Sequence, residues 1–353
     1  MFGGKRFDPD KEIPDLTAKT VLVTGGNNGL GLETCRQLAK HNAHIYLAAR
    51  TPSKAESAIA DIKGTAPNAN ITFLELDLAS LESVKRAADT FSAKSDRLDV
   101  LINNAGVMAL PASTTKEGYE IQFGTNHVGH FLFTKLLMPT LQRTAESRIV
   151  NLSSEGHRLP PKGGLALKDA QSSMASYNTW VRYGQSKLAN ILFTRELSRR
   201  YPAIKSVVLH PGGIDTGLSL GFQKAHPWLA VFLRPIASPF LTTVQKGALT
   251  QLFAATSEEA KTGTYYVPTA TENAGSKYSQ DSKLAGELWD WTEQTLAEHG
   301  HLCSQRLTIA SSRDREFKPS IFAKSVLQSH IPEAYRVHTK ETSTWAIPGS
   351  QQD

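Results

Sequence analysis

The chain has 353 residues, 40% apolar and 20% charged, which is enough for one large α/β domain with a sizeable core. Its net charge of +6 comes from 39 basic and 33 acidic residues scattered along the chain rather than gathered on one stripe, which argues against nucleic acid as a partner. The two cysteines, Cys35 and Cys303, are too few for a disulfide framework or a thiolate metal site, and no window is apolar enough for a secretory signal or a transmembrane segment, so a cytoplasmic protein is expected.

Residues 1–16 read as an N-terminal arm. From there short apolar runs alternate with amphipathic helical stretches, the pattern of βαβ units around a parallel sheet. The strand candidates are TVLVT (20–24), HIYLAA (44–49), ITFLEL (71–76), DVLIN (99–103), RIVNLS (148–153), KSVVLH (205–210) and GTYYV (263–267). Several are almost continuously apolar, as strands covered on both faces should be. Seven strands with intervening helices predict a Rossmann-type, doubly wound α/β fold in a single domain over residues 17–300. Residues 155–178 carry Pro, Gly and Ser without a period and read as a long loop. The run HPWLAVFLRPI, just after PGGIDT, could lie on a membrane surface; its position favours a substrate lid over about 216–238. Residues 301–353 have weak periodicity and read as a loosely attached C-terminal extension.

Between the first strand and first helix, TGGNNGLG places Gly25, Gly29 and Gly31 in a turn tight enough for backbone N–H groups to approach a pyrophosphate. The common G-x-G-x-x-G spacing is absent, because position 34 is Thr; the spacing is T-G-x-x-x-G-x-G. Where a ribose-binding carboxylate would mark NAD, at the end of the second strand, stands Arg50. A guanidinium there suits the 2′-phosphate of NADP(H), although a solvated strand-end charge is the alternative. Two Tyr-x-x-x-Lys pairs occur, Tyr183 with Lys187 and Tyr201 with Lys205. Pro202 follows Tyr201 and marks a helix end, so only the first pair lies in an uninterrupted helical pattern and shares a face.

In chain order, the glycine turn, LDL with Asp77, NNAG with Asn104, NHVGHF with Asn126, RIVNLSS with Ser153 and Ser154, YGQSK, and HPGGIDT with Ile214 and Thr216 resemble the short-chain dehydrogenase/reductase family. The resemblance covers about residues 17–300. It implies a catalytic tetrad of Asn126, Ser154, Tyr183 and Lys187. Tyr183 would exchange a proton with the substrate oxygen, Lys187 would favour the phenolate and bind the nicotinamide ribose, Ser154 would hold the carbonyl oxygen, and Asn126 would hold a water leading from Lys187 to solvent. The resemblance also chooses Ser154 over Ser153, which strand alternation does not. Leu30, Asp77, Asn104, Ile214 and Thr216 are expected cofactor contacts; Asp77 and Thr216 read equally as helix caps.

Ser154 and Tyr183 are 29 residues apart, and this long connection resembles that of the retinol dehydrogenase-like and fungal reductase-like branch. This implies an NADP(H)-dependent oxidoreductase acting on a carbonyl or on a primary or secondary alcohol of a hydrophobic small molecule, in a setting such as specialised metabolism. A retinol- or steroid-type dehydrogenase, double-bond reduction and a non-catalytic NADP-binding regulator are the rival readings. Family members often pair through the helix of Tyr183 and the helix after the lid, so a homodimer is expected. No metal is expected: His127 and His130 sit at i and i+3, but no third or fourth ligand accompanies them.

Overall fold

A computed structural model describes residues 6–213 and 242–302 of the protein. Ile214, Thr216, the expected lid at 216–238 and positions 303–353 lie outside the described residues.

The central sheet has eight strands in the order β3-β2-β1-β4-β5-β6-β7-β8. They are β1 (Thr20–Thr24), β2 (His44–Ala49), β3 (Asn70–Glu75), β4 (Val100–Asn103), β5 (Arg148–Leu152), β6 (Lys205–Leu209), β7 (Tyr265–Val267) and β8 (Thr271–Asn273). All pair in parallel except β8, which turns back antiparallel on β7. The expected count of seven strands is therefore one short. β8 reads TEN, and all three residues are exposed, so it has neither the apolar run nor the alternation that marks a strand in sequence.

Alternate residues of the central strands feed two cores. On one face Val21, Val23, Ile45 and Leu47 meet helices α2 (Gly29–Lys40), α3 (Pro52–Thr65) and α8 (Val244–Thr256). Phe7, Ile13 and Leu16 of the N-terminal arm join this core, with Phe7 edge-on to Phe253 at 5.9 Å. On the other face Leu22, Tyr46, Leu101 and Ile149 meet α4 (Leu81–Lys94), α6 (Gly129–Arg143), α7 (Thr179–Arg200) and α9 (Ser282–Glu298). A short first helix, α1 (Pro9–Glu12), lies within the arm, and α5 (Ile121–Phe123) leads through a π-helical turn, Gly124–Val128, into α6.

Asn178 caps α7 by accepting a bond from the Trp180 N–H at 2.8 Å, and Arg199 and Arg200 in its last turn suit the negative end of the helix dipole. α9 lies along α7, its Trp289 packed against Phe131 and Phe193 at 4.8 and 5.8 Å between ring centroids. The strand order reverses between β1 and β4, which opens a crevice at the sheet's carboxyl edge.

Candidate active site

At that crevice β1 ends in Thr24, and the chain turns through Gly25 (φ +66°) to Gly29 (φ +53°) at the start of α2. Glycine adopts this left-handed backbone without strain. A Cβ on Gly31 would lie 2.3 Å from the Gly25 carbonyl oxygen and 2.6 Å from Asn104 Nδ2, so a side chain there would push the helix off the turn. Asn104 Nδ2 donates to the Thr24 carbonyl at 2.8 Å, and the Ala105 N–H donates to Thr24 Oγ at 3.0 Å. These bonds join the NNAG segment to the glycine turn. Leu30, half-buried in the first turn of α2, packs on the core beneath.

Arg50 immediately follows β2; it is exposed and makes no ion pair or hydrogen bond among the described residues. Asp77 accepts a bond from the Ala79 N–H at 3.0 Å, while the N-cap of α4 is Ser80. Asp77 thus shapes the approach to the helix without being its cap.

The two serines after β5 have different partners. Ser153 Oγ donates to the Lys187 carbonyl at 2.8 Å and is buried. Ser154 accepts a bond from the Gly156 N–H at 3.1 Å and stands beside the Tyr183 phenol, whose titration it pulls down. It heads a 3-10 turn, Glu155–Arg158, that lies directly on α7. A Cβ on Gly156 would come within 2.8 Å of the Tyr183 ring, and one on Gly184 within 2.4 Å of the Leu159 carbonyl oxygen. The absence of both side chains lets the turn and helix touch and sets Ser154 beside Tyr183.

Tyr183 is only 5% exposed, and burial pushes its phenol up to about 12 against the opposing pull of Ser154. One turn on, burial pushes the Lys187 ammonium down to about 8. Its Nζ donates to the Leu152 carbonyl at 3.2 Å and stands 5.7 Å from the centre of the Tyr183 ring. Asn126 sits in the π-helical turn. Its Nδ2 donates to the Val107 carbonyl and to Ser186 Oγ, both at 2.9 Å, and its Oδ1 accepts from the Val107 N–H at 2.8 Å. The carboxamide therefore locks the loop after β4 to α7 and leaves the main-chain carbonyl to face other partners. His127 and His130 point apart: the first reaches Thr292 at 3.2 Å, the second Thr24 and the Asn126 carbonyl.

A sequence profile of the short chain dehydrogenases matches residues 19–166. The short-chain dehydrogenase/reductase drtF of Aspergillus calidoustus is 38% identical over 305 residues, spanning 80% of this chain and 95% of its own length. The chain belongs to the short-chain dehydrogenase/reductase family. Retinol dehydrogenase 12 of Bos taurus is 38% identical over 279 residues, spanning 78% of this chain and 85% of its own length. A crystal structure of an uncharacterized protein from Mycobacterium paratuberculosis superposes with a TM-score of 0.67 at 32% identity, over 83% of this chain and 98% of that one. This short-chain dehydrogenase/reductase is thus an oxidoreductase of the branches that hold the retinol dehydrogenases and fungal reductases, and the family uses a nicotinamide cofactor.

The residues present fit such a cofactor. Gly25 and Gly31 let the turn close tightly at the N-terminus of α2, whose N-cap Asn28 makes no side-chain capping bond, so the first-turn N–H groups remain for an anionic group. Sequence reasoning missed Gly156 and Gly184, whose only signal is a glycine two residues after Ser154 and another inside YGQSK. It also missed the buried ion pair of Glu120 with Arg182, 2.8 Å, in which Arg182 further donates to the Leu110 carbonyl at 2.9 Å and braces the loop after β4 against α7.

Proposed function

We propose that this enzyme is an NADP(H)-dependent carbonyl reductase or alcohol dehydrogenase for a hydrophobic small molecule. The observation that carries the reading is the meeting of Ser154, Tyr183 and Lys187 beside the glycine turn at the sheet's carboxyl edge. When bound, the dinucleotide supplies or accepts the hydride. Ser154 holds the substrate oxygen near the phenol. As the carbonyl carbon is reduced, Tyr183 passes its proton to that oxygen and is left as phenolate, which the Lys187 charge stabilises at close range. Burial of both groups excludes competing water.

The preference for NADP(H) rests on Arg50, an exposed guanidinium with no partner among the described residues, at the end of the strand next to the glycine turn. Reduced-cofactor oxidation with a panel of apolar aldehydes and ketones, a retinoid among them because relatives carry the name retinol dehydrogenase, tests the reading. Turnover with NADPH is expected, and Arg50→Asp should lower the NADPH-over-NADH ratio of kcat/KM by about ten- to a hundredfold. An unchanged ratio removes Arg50 from the argument; cofactor binding without turnover across the panel points to a regulator instead.

A further inference from the structure

Behind the tetrad a four-member hydrogen-bond chain runs through His130, on the first turn of α6. The Ala105 N–H donates to Thr24 Oγ at 3.0 Å, Thr24 Oγ lies 2.8 Å from His130 Nε2, and His130 Nδ1 lies 2.9 Å from the Asn126 carbonyl oxygen. A carbonyl oxygen only accepts, so Nδ1 carries the proton. Nε2 must then accept, and the Thr24 hydroxyl donates to it at 2.8 Å rather than to the Ile102 carbonyl at 3.4 Å. Every donor in the chain meets an acceptor, and His130 is 2% exposed. Burial holds its imidazole down to about 4, so it is neutral, as this arrangement requires.

The two ends of the chain lie in the two halves of the site. Thr24 closes β1 at the glycine turn. Asn126 faces Lys187: a Cβ on Gly106 would lie 3.2 Å from Asn126 Oδ1 and 3.4 Å from Lys187 Nζ, so both atoms border one small space. Tyr183 and His130 are the titratable neighbours of Lys187 among the described residues.

We infer that His130 is a positioning residue: through its Nδ1–H it holds Asn126 in place against Lys187 and couples that geometry to Thr24 of the glycine turn. This rests on the oxidoreductase reading above for its consequence in turnover, but not for its structural content. A held amide oxygen facing the ammonium favours the charged lysine, so loosening Asn126 lowers the Lys187 titration midpoint.

Three variants separate the roles of the two ring nitrogens. His130→Asn keeps a donor at the Nδ1 position, His130→Gln keeps a polar group only at the Nε2 position, and His130→Leu keeps neither. In the Leu and Gln variants kcat should fall by about ten- to a hundredfold at little change in NADPH affinity, as expected of a misplaced site. In both, the Lys187 midpoint, read from the carbon NMR shift of labelled lysine, should drop by about half a unit or more. The Asn variant should recover both readouts. If the Leu variant fails to fold, the Asn and Gln pair still decides. Equal behaviour of Asn with Gln or Leu overturns the proposal, as does an Nε2–H tautomer for His130 in nitrogen NMR of the wild type. The lysine and imidazole readouts need no substrate, so a wild type that turns nothing over counts against the oxidoreductase reading alone.

Discussion

The two Tyr-x-x-x-Lys pairs at the two ends of α7 share a spacing and nothing else. Tyr183 and Lys187 lie one helical turn apart on a continuous helix, both buried, with Ser154 on the phenol and the Leu152 carbonyl on the ammonium. Tyr201 is the residue that ends the helix, its hydroxyl accepting from Lys135 Nζ at 3.3 Å, and Lys205 opens β6 and reaches Glu258. Four residues bring side chains together only where the backbone between them stays helical. Pro202 breaks that continuity for the second pair. The surroundings differ as well: burial raises the Tyr183 phenol and lowers the Lys187 ammonium, moving both titrations away from their ordinary values.

The sharpest way to break this comparison is to remove one hydroxyl from each pair. Tyr183→Phe should lower kcat by about 10²- to 10⁴-fold, the usual contribution of a positioned acid or base. Tyr201→Phe loses one half-buried bond from Lys135, whose ammonium also pairs with Glu293 at 2.8 Å, and should leave kcat unchanged. Equal rates for Tyr183→Phe and wild type in a steady-state assay would end the proposed mechanism.

The contrast also explains what could be read from the sequence. Local signals carried far: the strands with apolar runs, the glycine turn and the helix holding YGQSK each follow from residues close together in the chain. β8 escaped because an exposed Thr-Glu-Asn edge has no period to detect. Ser153 and Ser154 could not be told apart by alternation, because the strand ends at Leu152 and a 3-10 turn begins three residues later. Their partners, the Lys187 carbonyl and the Tyr183 phenol, are about thirty residues away and are fixed by packing of the turn on α7. Asn126 was visible as a motif member, but not the π-helical turn that carries it or the locking of its carboxamide between Val107 and Ser186. His130 stood in plain view as half of the His127-x-x-His130 pair. Its partners Thr24 and Asn126 lie on different strands and helices, and only the fold brings them to one ring.

Replacing the two lysines sharpens the comparison in stability rather than rate. Lys187 is charged at neutral pH although burial lowers it from 10.5 to about 8, so the folded state carries a penalty on the order of 3 kcal/mol below pH 8. The sign follows from proton binding: between about 8 and 10.5 the unfolded chain holds more of this proton, so wild-type stability rises with pH through that window and the penalty is fully present below it. Lys187→Met removes the penalty and orphans nothing, because the Leu152 carbonyl keeps its bond from Asn190 Nδ2 at 2.9 Å. The variant should lose most of its activity yet be more stable than wild type in urea at pH 7, by up to about 3 kcal/mol, with the advantage shrinking above pH 8. Lys205→Met, which loses a surface pair with an exposed Glu258, should shift stability by about 0.5 kcal/mol or less. A Lys187→Met variant less stable than wild type would mean that the ammonium is a net support of the fold.

The smallest of these effects is the one that needs no mutation. With the Tyr183 phenol at about 12, the proposed proton donor stays loaded across the physiological range, so its own titration should not limit the rate near neutrality. Lys187 does titrate nearby, at about 8, and in the proposed mechanism its charge offsets the phenolate as the proton leaves. The reductive kcat/KM at saturating NADPH should therefore be flat below pH 8 and fall above it, by about tenfold for each further unit while one proton is being lost. Since the limb belongs to a group removed in Lys187→Met, the residual rate of that variant should be level from pH 7 to 9. Lys205→Met, by contrast, should keep the wild-type limb. A limb that survives in the first variant, or vanishes in the second, would assign the titration to some group other than the buried lysine and undo the distinction between the two pairs.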